Sequence, residues 1–271
     1  MKFQLDFSFS SHQKISCKDQ VTLLGSCFAE SIGEKFERNK FHSLTNPYGI
    51  IFNPLSLATC ISEIISEKKY SENELIQQNG LWHSFQHHGS FSFPDKNSAL
   101  QKINSEIERA AVALKKPGWL IVTFGSAFVY THTKTERTVA NCHKIPGTEF
   151  EKKLLTTAEI VAAWKEQLAS LKKFNPYLKI LFTVSPVRYL RDGLIENNIS
   201  KSTLLLAVHE LCKDHNTVYF PAYELVNDVL RDYRFFKEDM VHPTQQAVDF
   251  VWQKFSDAML DEESKSALKE V

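Results

Sequence analysis

Leu23-Leu24-Gly25-Ser26-Cys27-Phe28-Ala29-Glu30-Ser31-Ile32-Gly33 is the stretch on which the reading of the chain turns. The apolar run Val21 to Leu24 reads as a short buried strand, it breaks at Gly25-Ser26, and Phe28, Ile32 and Phe36 then recur at helical spacing. A strand, a tight turn and a helix start are specified, with a nucleophile in the turn. Open α/β sheets bind ligands at the carboxyl ends of their strands. The first backbone N–H groups of a helix are unpaired and lie at the positive end of its dipole. A serine placed there sits beside the donors that an acyl-transfer oxyanion requires.

Working outward, Trp119 to Phe124 is a nearly continuous apolar run of the kind buried on both faces of a parallel sheet, and it ends at Gly125-Ser126-Ala127. Leu178 to Val184 is another, ending at Ser185-Pro186-Val187-Arg188, and Thr217 to Phe220 is a short last strand. Apolar spacing predicts helices from the first turn to about Asn39, from an Asn53-Pro54 start to about Lys68, and over Ser98 to Lys116. Four more are expected: from a Thr157 cap to Lys173, then over Ser200 to His215, Ala222 to Leu230 and Pro243 to Leu260. Strands alternating with helices call for an α/β fold, a parallel sheet covered on both faces.

Other segments read less regularly. Residues 70–95 lack a clear period, carry His83, His87 and His88 among several aromatic rings, and are expected to form an inserted side wall or lid on a single domain spanning 1–271. Phe128 to Pro146 reads as an irregular excursion holding Asn141, Cys142, His143 and Lys144. Met1 to Phe9 alternates apolar with polar, as an edge strand or arm would, and Asp261 to Ser266 opens a polar tail expected to fray.

Composition narrows the function. The 271 residues are 43% hydrophobic, enough for one large core, and 32 basic side chains balance 32 acidic ones. No broad basic field is available for nucleic acid or an anionic membrane surface. No stretch approaches the roughly 20 apolar residues that cross a bilayer, and the start of the chain lacks the apolar core of a secretory signal. A cytoplasmic location is expected. Five cysteines without paired spacing suggest neither a disulfide framework nor a zinc site. The neighbouring histidines have no acidic partner nearby, so a metal is not expected, and acyl transfer of the kind set out below requires no organic cofactor.

A parallel sheet would gather Ser26, the Gly125-Ser126 turn, Ser185-Pro186 and the loop Glu238-Asp239-Met240-Val241-His242-Pro243-Thr244 at one edge. An Asp three residues before a His can hold the imidazole in one tautomer while its other nitrogen faces the serine. Ser26, Asp239 and His242 therefore supply the pieces of an acyl-transfer triad, although His242 would also serve simply to cap the helix after Pro243. Cys27 is a rival nucleophile, since a thiol at a helix N-terminus is easily activated.

Gly25-Ser26-Cys27-Phe28-Ala29 resembles the signature from which the GSCFA family takes its name, a bacterial branch related to the SGNH (GDSL-like) hydrolases. Asn46 to Ile50, Val139 to Lys144, Thr183 to Arg188, Arg231 to Phe235 and Asp239 to Pro243 are similar to stretches of the same family, so the resemblance covers nearly the whole chain. It implies a three-layer α/β/α sandwich with a mainly parallel sheet of about five strands in flavodoxin-like order. It also implies serine-esterase chemistry, with Ser26, Asp239 and His242 at the matching catalytic positions. The resemblance further implies an oxyanion hole built from the N–H groups of Ser26 and Gly49 and an asparagine side chain. The turn that usually carries this asparagine reads Gly125-Ser126-Ala127, which leaves Asn46 and Asn141 as candidates. Losing one such donor costs about 3 kcal/mol of transition-state stabilisation. His88 and His143 are candidates to line the pocket, and Arg188, Arg191 or Lys144 to meet an anionic part of the substrate. The expected activity is hydrolysis of a small ester, such as an acetylated carbohydrate, with acyl transfer by the same triad as an alternative. From a different class, a non-catalytic binding domain would account for the missing asparagine.

Overall fold

Alternate residues of Gln20–Gly25 (β1) enter two separate apolar cores, Val21 and Leu23 one and Leu24 the other, as a strand buried on both faces must. The structure, a computed structural model, describes residues 5–214 and 216–268. After the turn at Ser26 comes α1 (Cys27–Arg38), followed by β2 (His42–Thr45) and α2 (Pro54–Ile65). Asn53 caps α2 by accepting the N–H of Ser56 at 2.8 Å, and Pro54 occupies the first turn, where its missing N–H leaves nothing unpaired. A small hairpin of β3 (Ile76–Gln78) and β4 (Leu81–His83) leads to α3 (Lys96–Lys115) and to β5 (Gly118–Phe124), buried along its whole length.

Beyond β5 the chain leaves the main sheet. Strands β6 (Phe128–His132), β7 (Arg137–Val139) and β8 (Phe150–Leu154) form an antiparallel sheet in the order β7-β6-β8. Helix α4 (Thr157–Phe174), strand β9 (Leu178–Val184), helix α5 (Leu194–Leu211) and strand β10 (Thr217–Tyr219) complete the alternation. Helix α6 (Ala222–Glu224) runs into a π-helical turn at Leu225–Leu230, and α7 (Gln245–Met259) and α8 (Glu262–Ala267) end the described chain.

The main sheet has five strands in the order β10-β9-β5-β1-β2, every pair parallel. This is the flavodoxin-like order. Helices α1 and α7 and the π turn cover one face, where Phe28, Phe36, Val226 and Phe255 pack on Val21, Leu23, Trp119 and Ile121. Helices α2 to α5 cover the other, where Ile61, Ile107, Trp164 and Leu204 pack on Leu24, Leu120, Val122 and Phe182. At roughly 1.5–3 kcal/mol for each large side chain withdrawn from water, these two layers dominate the folding energy. Among the described residues, no helix is long and apolar enough to cross a membrane.

Several local expectations change. Phe128 to Pro146 is strand-bearing rather than irregular, because Val129 and Val139 bury themselves beside the α2–α4 layer. Strand β2 escapes the apolar pattern because it lies at the sheet edge with Leu44 as its one buried residue. Helix α4 is capped by Thr156, not Thr157, in a reciprocal box with Glu159. Helix α5 starts at Leu194, six residues earlier than the spacing indicates, because Leu194, Ile195 and Ile199 face solvent and give that turn no apolar phase; its expected end at His215 lies outside the described residues. Pro243 precedes α7 rather than opening it, and Thr244 is the cap. Of the expected N-terminal strand, residues 1–4 lie outside the described residues and 5–9 form no strand. Over residues 261–268 the polar tail is tied down: Ser264 is buried and accepts the N–H of Cys17 at 2.7 Å, while Asp261 donates its N–H to Ile15 O.

Candidate active site

Gly25 ends β1 with φ +147, and a Cβ there would fall 2.3 Å from the carbonyl oxygen of Thr123. Only glycine permits so close an approach of two strand ends. The next residue, Ser26, is the N-cap of α1: its Oγ accepts the N–H of Phe28 at 3.3 Å, and its own N–H donates to Thr123 O at 3.3 Å. Three loops meet around it. Asn46 Oδ1 accepts the N–H of Gly25 at 2.9 Å, Ile51 donates to Gly25 O at 2.9 Å, and Phe52 O accepts from Gly125 and Ser126 at 2.8 and 3.0 Å. Ser26 is consequently almost fully buried, at 1% exposure.

The loop before α7 holds a second preformed unit. Asp239 accepts the backbone N–H groups of Val241 and His242 on Oδ1, each at 2.9 Å, and its Oδ2 accepts from His242 Nδ1 at 2.7 Å. Those two backbone donors, reinforced by the imidazole, hold the Asp239 carboxyl down to about 2. An ionised carboxylate can only accept, so Nδ1 carries the proton and Nε2 is left with its lone pair. Both side chains are exposed.

Helices α1 and α7 pack against each other on one face of the sheet. Lys35 of α1 is ion-paired with Asp249 of α7, and the ring of Phe36 lies 5.0 Å from that of Trp252. Among the described residues no hydrogen bond joins Ser26 to His242. The serine hydroxyl is turned to its own helix.

Beside the Ser26 turn opens a cleft of about 560 Å³. Phe52 and Ser126 form its inner wall, Phe128, Tyr130 and Phe150 of the antiparallel sheet a second, and Asn141 to Lys144 with Tyr189, Arg191 and Asp192 the rim. Consecutive left-handed residues, His143 (φ 48) and Lys144 (φ 61), shape that rim. The N–H of His143 donates to Asn141 Oδ1 at 2.9 Å, and its Nε2 donates to Ser84 O at 2.7 Å. Burial pushes His143 down to about 4. Among the described residues, no group of three or more His, Cys, Asp or Glu side chains is arranged to hold a metal ion.

The GSCFA family model matches residues 20–255. The chain belongs to the GSCFA family. No curated protein sequence matches it. Among solved structures, this GSCFA chain is similar to a carbohydrate esterase family 3 protein from Talaromyces cellulolyticus, with 9% identity and a TM-score of 0.41 over 93% of this chain and 99% of that one. An acetyl esterase mutant with acetate ion gives 10% identity and a TM-score of 0.41 over 93% and 99% of the two chains. The acetyl xylan esterase Est2A from the rumen bacterium Butyrivibrio proteoclasticus gives 11% and 0.43, over 88% of this chain and 63% of that one.

In the GSCFA chain the residues singled out from sequence fall into three groups. Ser26, Asn46 and Gly49 belong to the turn; the N–H of Gly49 donates to Asn46 O at 2.7 Å, and a Cβ on Gly49 would lie 2.3 Å from His88 Cβ. His88, Asn141 and His143 line the cleft. Asp239 and His242 form the exposed pair, and the Arg188 guanidinium sits 5.7 Å over the ring of Phe236, in the strand-like contact that joins Phe236 to Pro243, rather than in the cleft. Sequence reasoning passed over Lys201. It is buried on α5, with Nζ donating to Gly125 O at 2.6 Å and Ser185 O at 2.7 Å. The signal was present: Lys201 shares the helical phase of Leu204, Val208 and Leu211, the apolar face of α5.

Proposed function

We propose that this GSCFA protein is a serine hydrolase of small carboxylic esters, with Ser26 as nucleophile, His242 as general base and Asp239 as the group that orients the imidazole. The observation that carries this reading is the Asp239–His242 pair, whose 2.7 Å bond commits Nδ1 and leaves Nε2 able to take a proton; the reading requires that Nε2 reach the Ser26 hydroxyl. Cys27 is the weaker candidate. Burial, with Glu30 nearby, raises its thiol above the ordinary range, which weakens it as a nucleophile.

In the proposed reaction Ser26 gives up its capping bond, rotates, and passes its proton to Nε2 as Oγ attacks the ester carbonyl. Collapse of the tetrahedral intermediate breaks the bond to the alcohol, which leaves with the proton from His242. Water then releases the acyl group by the same steps, and a second alcohol in its place would make the reaction an acyl transfer. Asn46 is the favoured oxyanion donor. Gly25 fixes its Oδ1, and its buried Nδ2 has no partner. Asn141 lies in the cleft wall, and the Gly49 N–H is already spent within its turn. The aromatic rings of Phe128, Tyr130 and Tyr189 beside polar rim groups suit a carbohydrate-like alcohol, and an acetylated sugar is the substrate we favour.

A second reading, a ligand-binding domain without turnover, draws on the burial of Ser26 and on a cleft lined by other residues. Incubation with p-nitrophenyl acetate and a fluorophosphonate probe, beside Ser26→Ala, Cys27→Ala and His242→Ala, separates the two. The esterase reading expects labelling and turnover in the parent and in Cys27→Ala, and neither in Ser26→Ala. A parent protein silent to both reagents would leave only the binding reading.

A further inference from the structure

Asp192 stands at the rim of the cleft with its side chain only 6% exposed. Its Oδ1 is ion-paired with Lys152 Nζ at 2.5 Å, whereas its Oδ2 is buried and, among the described residues, has no hydrogen-bond partner. Lys152 belongs to the cleft wall as well. In β8 it lies directly opposite Tyr130 of β6, and its ammonium sits 4.2 Å over the centre of the Phe128 ring. Opposed residues of antiparallel strands, and residues two apart on one strand, share a face of the sheet, and Phe128 and Tyr130 both line the cleft. Asp192 is therefore drawn against a wall of rings. The loop that carries it is tied in turn: the Tyr189 N–H donates to Oδ1 of the buried Asn197 at 2.9 Å, and the Gly193 N–H to Leu190 O at 3.0 Å.

Buried polar atoms of folded proteins are almost always paired, and leaving one unpaired is worst on a charged group. The partner that Asp192 Oδ2 lacks is a donor, and the cleft is the open space from which one can come. The cations of the rim have no matching need, because Arg191 and Lys144 are exposed and water serves their N–H groups. The Asp192–Lys152 pair is neutral as a unit. A ligand ammonium would crowd the Lys152 charge and a ligand carboxylate the Asp192 charge, but a hydroxyl donates without bringing a charge.

We propose that Asp192 recognises the alcohol part of the substrate, with Oδ2 accepting a hydroxyl of a neutral, sugar-like polyol that lies along Phe128 and Tyr130. This deepens the esterase reading and rests on it for the link to catalysis. Binding of the polyol itself does not depend on Ser26.

The test uses the whole chain, with methyl β-D-xylopyranoside and methyl β-D-glucopyranoside as probes, and reads binding by saturation-transfer NMR titration. At least one of the two should bind the parent in the millimolar range, and Asp192→Ala should weaken it about tenfold or more. A series in which fluorine replaces each hydroxyl of that glycoside in turn locates the contact, because fluorine cannot donate. One member of the series should lose about tenfold in the parent and nothing further in Asp192→Ala. Should the variant misfold, the fluorinated series on the parent suffices. A parent that binds neither glycoside, or every fluorinated analogue as tightly as the glycoside, overturns the proposal, and so does a folded Asp192→Ala protein that binds as the parent does. Tighter binding of the corresponding uronate or amino sugar than of the neutral glycoside overturns it too. Glycoside binding without turnover of p-nitrophenyl acetate counts against the Ser26 chemistry alone, whereas turnover without glycoside binding counts against Asp192 alone.

Discussion

Asn46 accepts the backbone N–H of Gly25 at 2.9 Å while itself holding a left-handed backbone, φ 47. The residue that shapes the end of β2 thereby fixes the glycine that precedes the nucleophile. Asparagine tolerates this conformation better than most residues, and its oxygen satisfies a donor that would otherwise be buried unpaired. Asn46→Ala loses both advantages and should cost about 2–4 kcal/mol in urea unfolding. Asn46→Gly keeps the backbone freedom and loses only the side chain, so its cost should be smaller. If the amide also holds the oxyanion, Asn46→Gly should lower kcat about 100-fold or more in the folded protein. Turnover of Asn46→Gly equal to the parent would remove Asn46 from that role.

The Asp239 carboxyl, held down to about 2, stays ionised throughout the range in which an esterase is assayed. The anionic acceptor for His242 Nδ1 is therefore present at every assay pH. Asp239→Asn would leave Nδ1 without its anionic acceptor and should lower kcat about 100-fold or more, with little change in stability because the loop is exposed. Full activity in Asp239→Asn would count against the pair.

The strand, turn and helix at 20–38 were legible because each level agreed: an apolar run, a glycine that no other residue can replace, a serine cap and a helical stripe. The Asp239–His242 contact was legible for a similar reason, being local in sequence. What stayed hidden depends on distant partners. Strand β2 buries one side chain, and β6 to β8 are short segments that gain their burial from helices far along the chain. Lys201 reads as a surface lysine until the carbonyls of Gly125 and Ser185, 76 and 16 residues away, converge on it. The serine's burial likewise follows from how three loops close over the turn.

Gly25→Ala is the most direct test of the strand–turn geometry. The added methyl would sit 2.3 Å from Thr123 O, backbone that is itself part of the central sheet, at a φ of +147. Neither atom can move without parting β1 from β5. The substitution should destabilise the protein by more than about 3 kcal/mol, seen as insolubility or a large drop in the thermal midpoint. A folded Gly25→Ala protein with an unchanged midpoint would contradict the arrangement described for this turn.

His87 gives the protein an acid-sensitive core. The ring is fully buried, stacked on Tyr48 at 4.4 Å between centroids, with Nδ1 bonded to Ser84 Oγ at 2.9 Å and Nε2 unpartnered. Burial, with Lys68 and His143 adding to it, pushes His87 down to about 3. An imidazole in the unfolded chain takes up its proton at about pH 6.5. Between these values the unfolded state binds more protons than the folded one, so stability falls as pH drops from about 6.5 toward 3. At pH 4.5 the loss assigned to His87 should be about 2–3 kcal/mol relative to pH 7. His87→Phe preserves the stack on Tyr48 and cannot take up a proton, and the bond it loses to Ser84 costs the same at both pH values. The difference in urea-unfolding free energy between pH 7 and pH 4.5 should therefore shrink by about 2–3 kcal/mol in the variant, while the carboxylates titrate identically in both proteins. An equal pH dependence in parent and variant would show that the ring is not held neutral in the folded state.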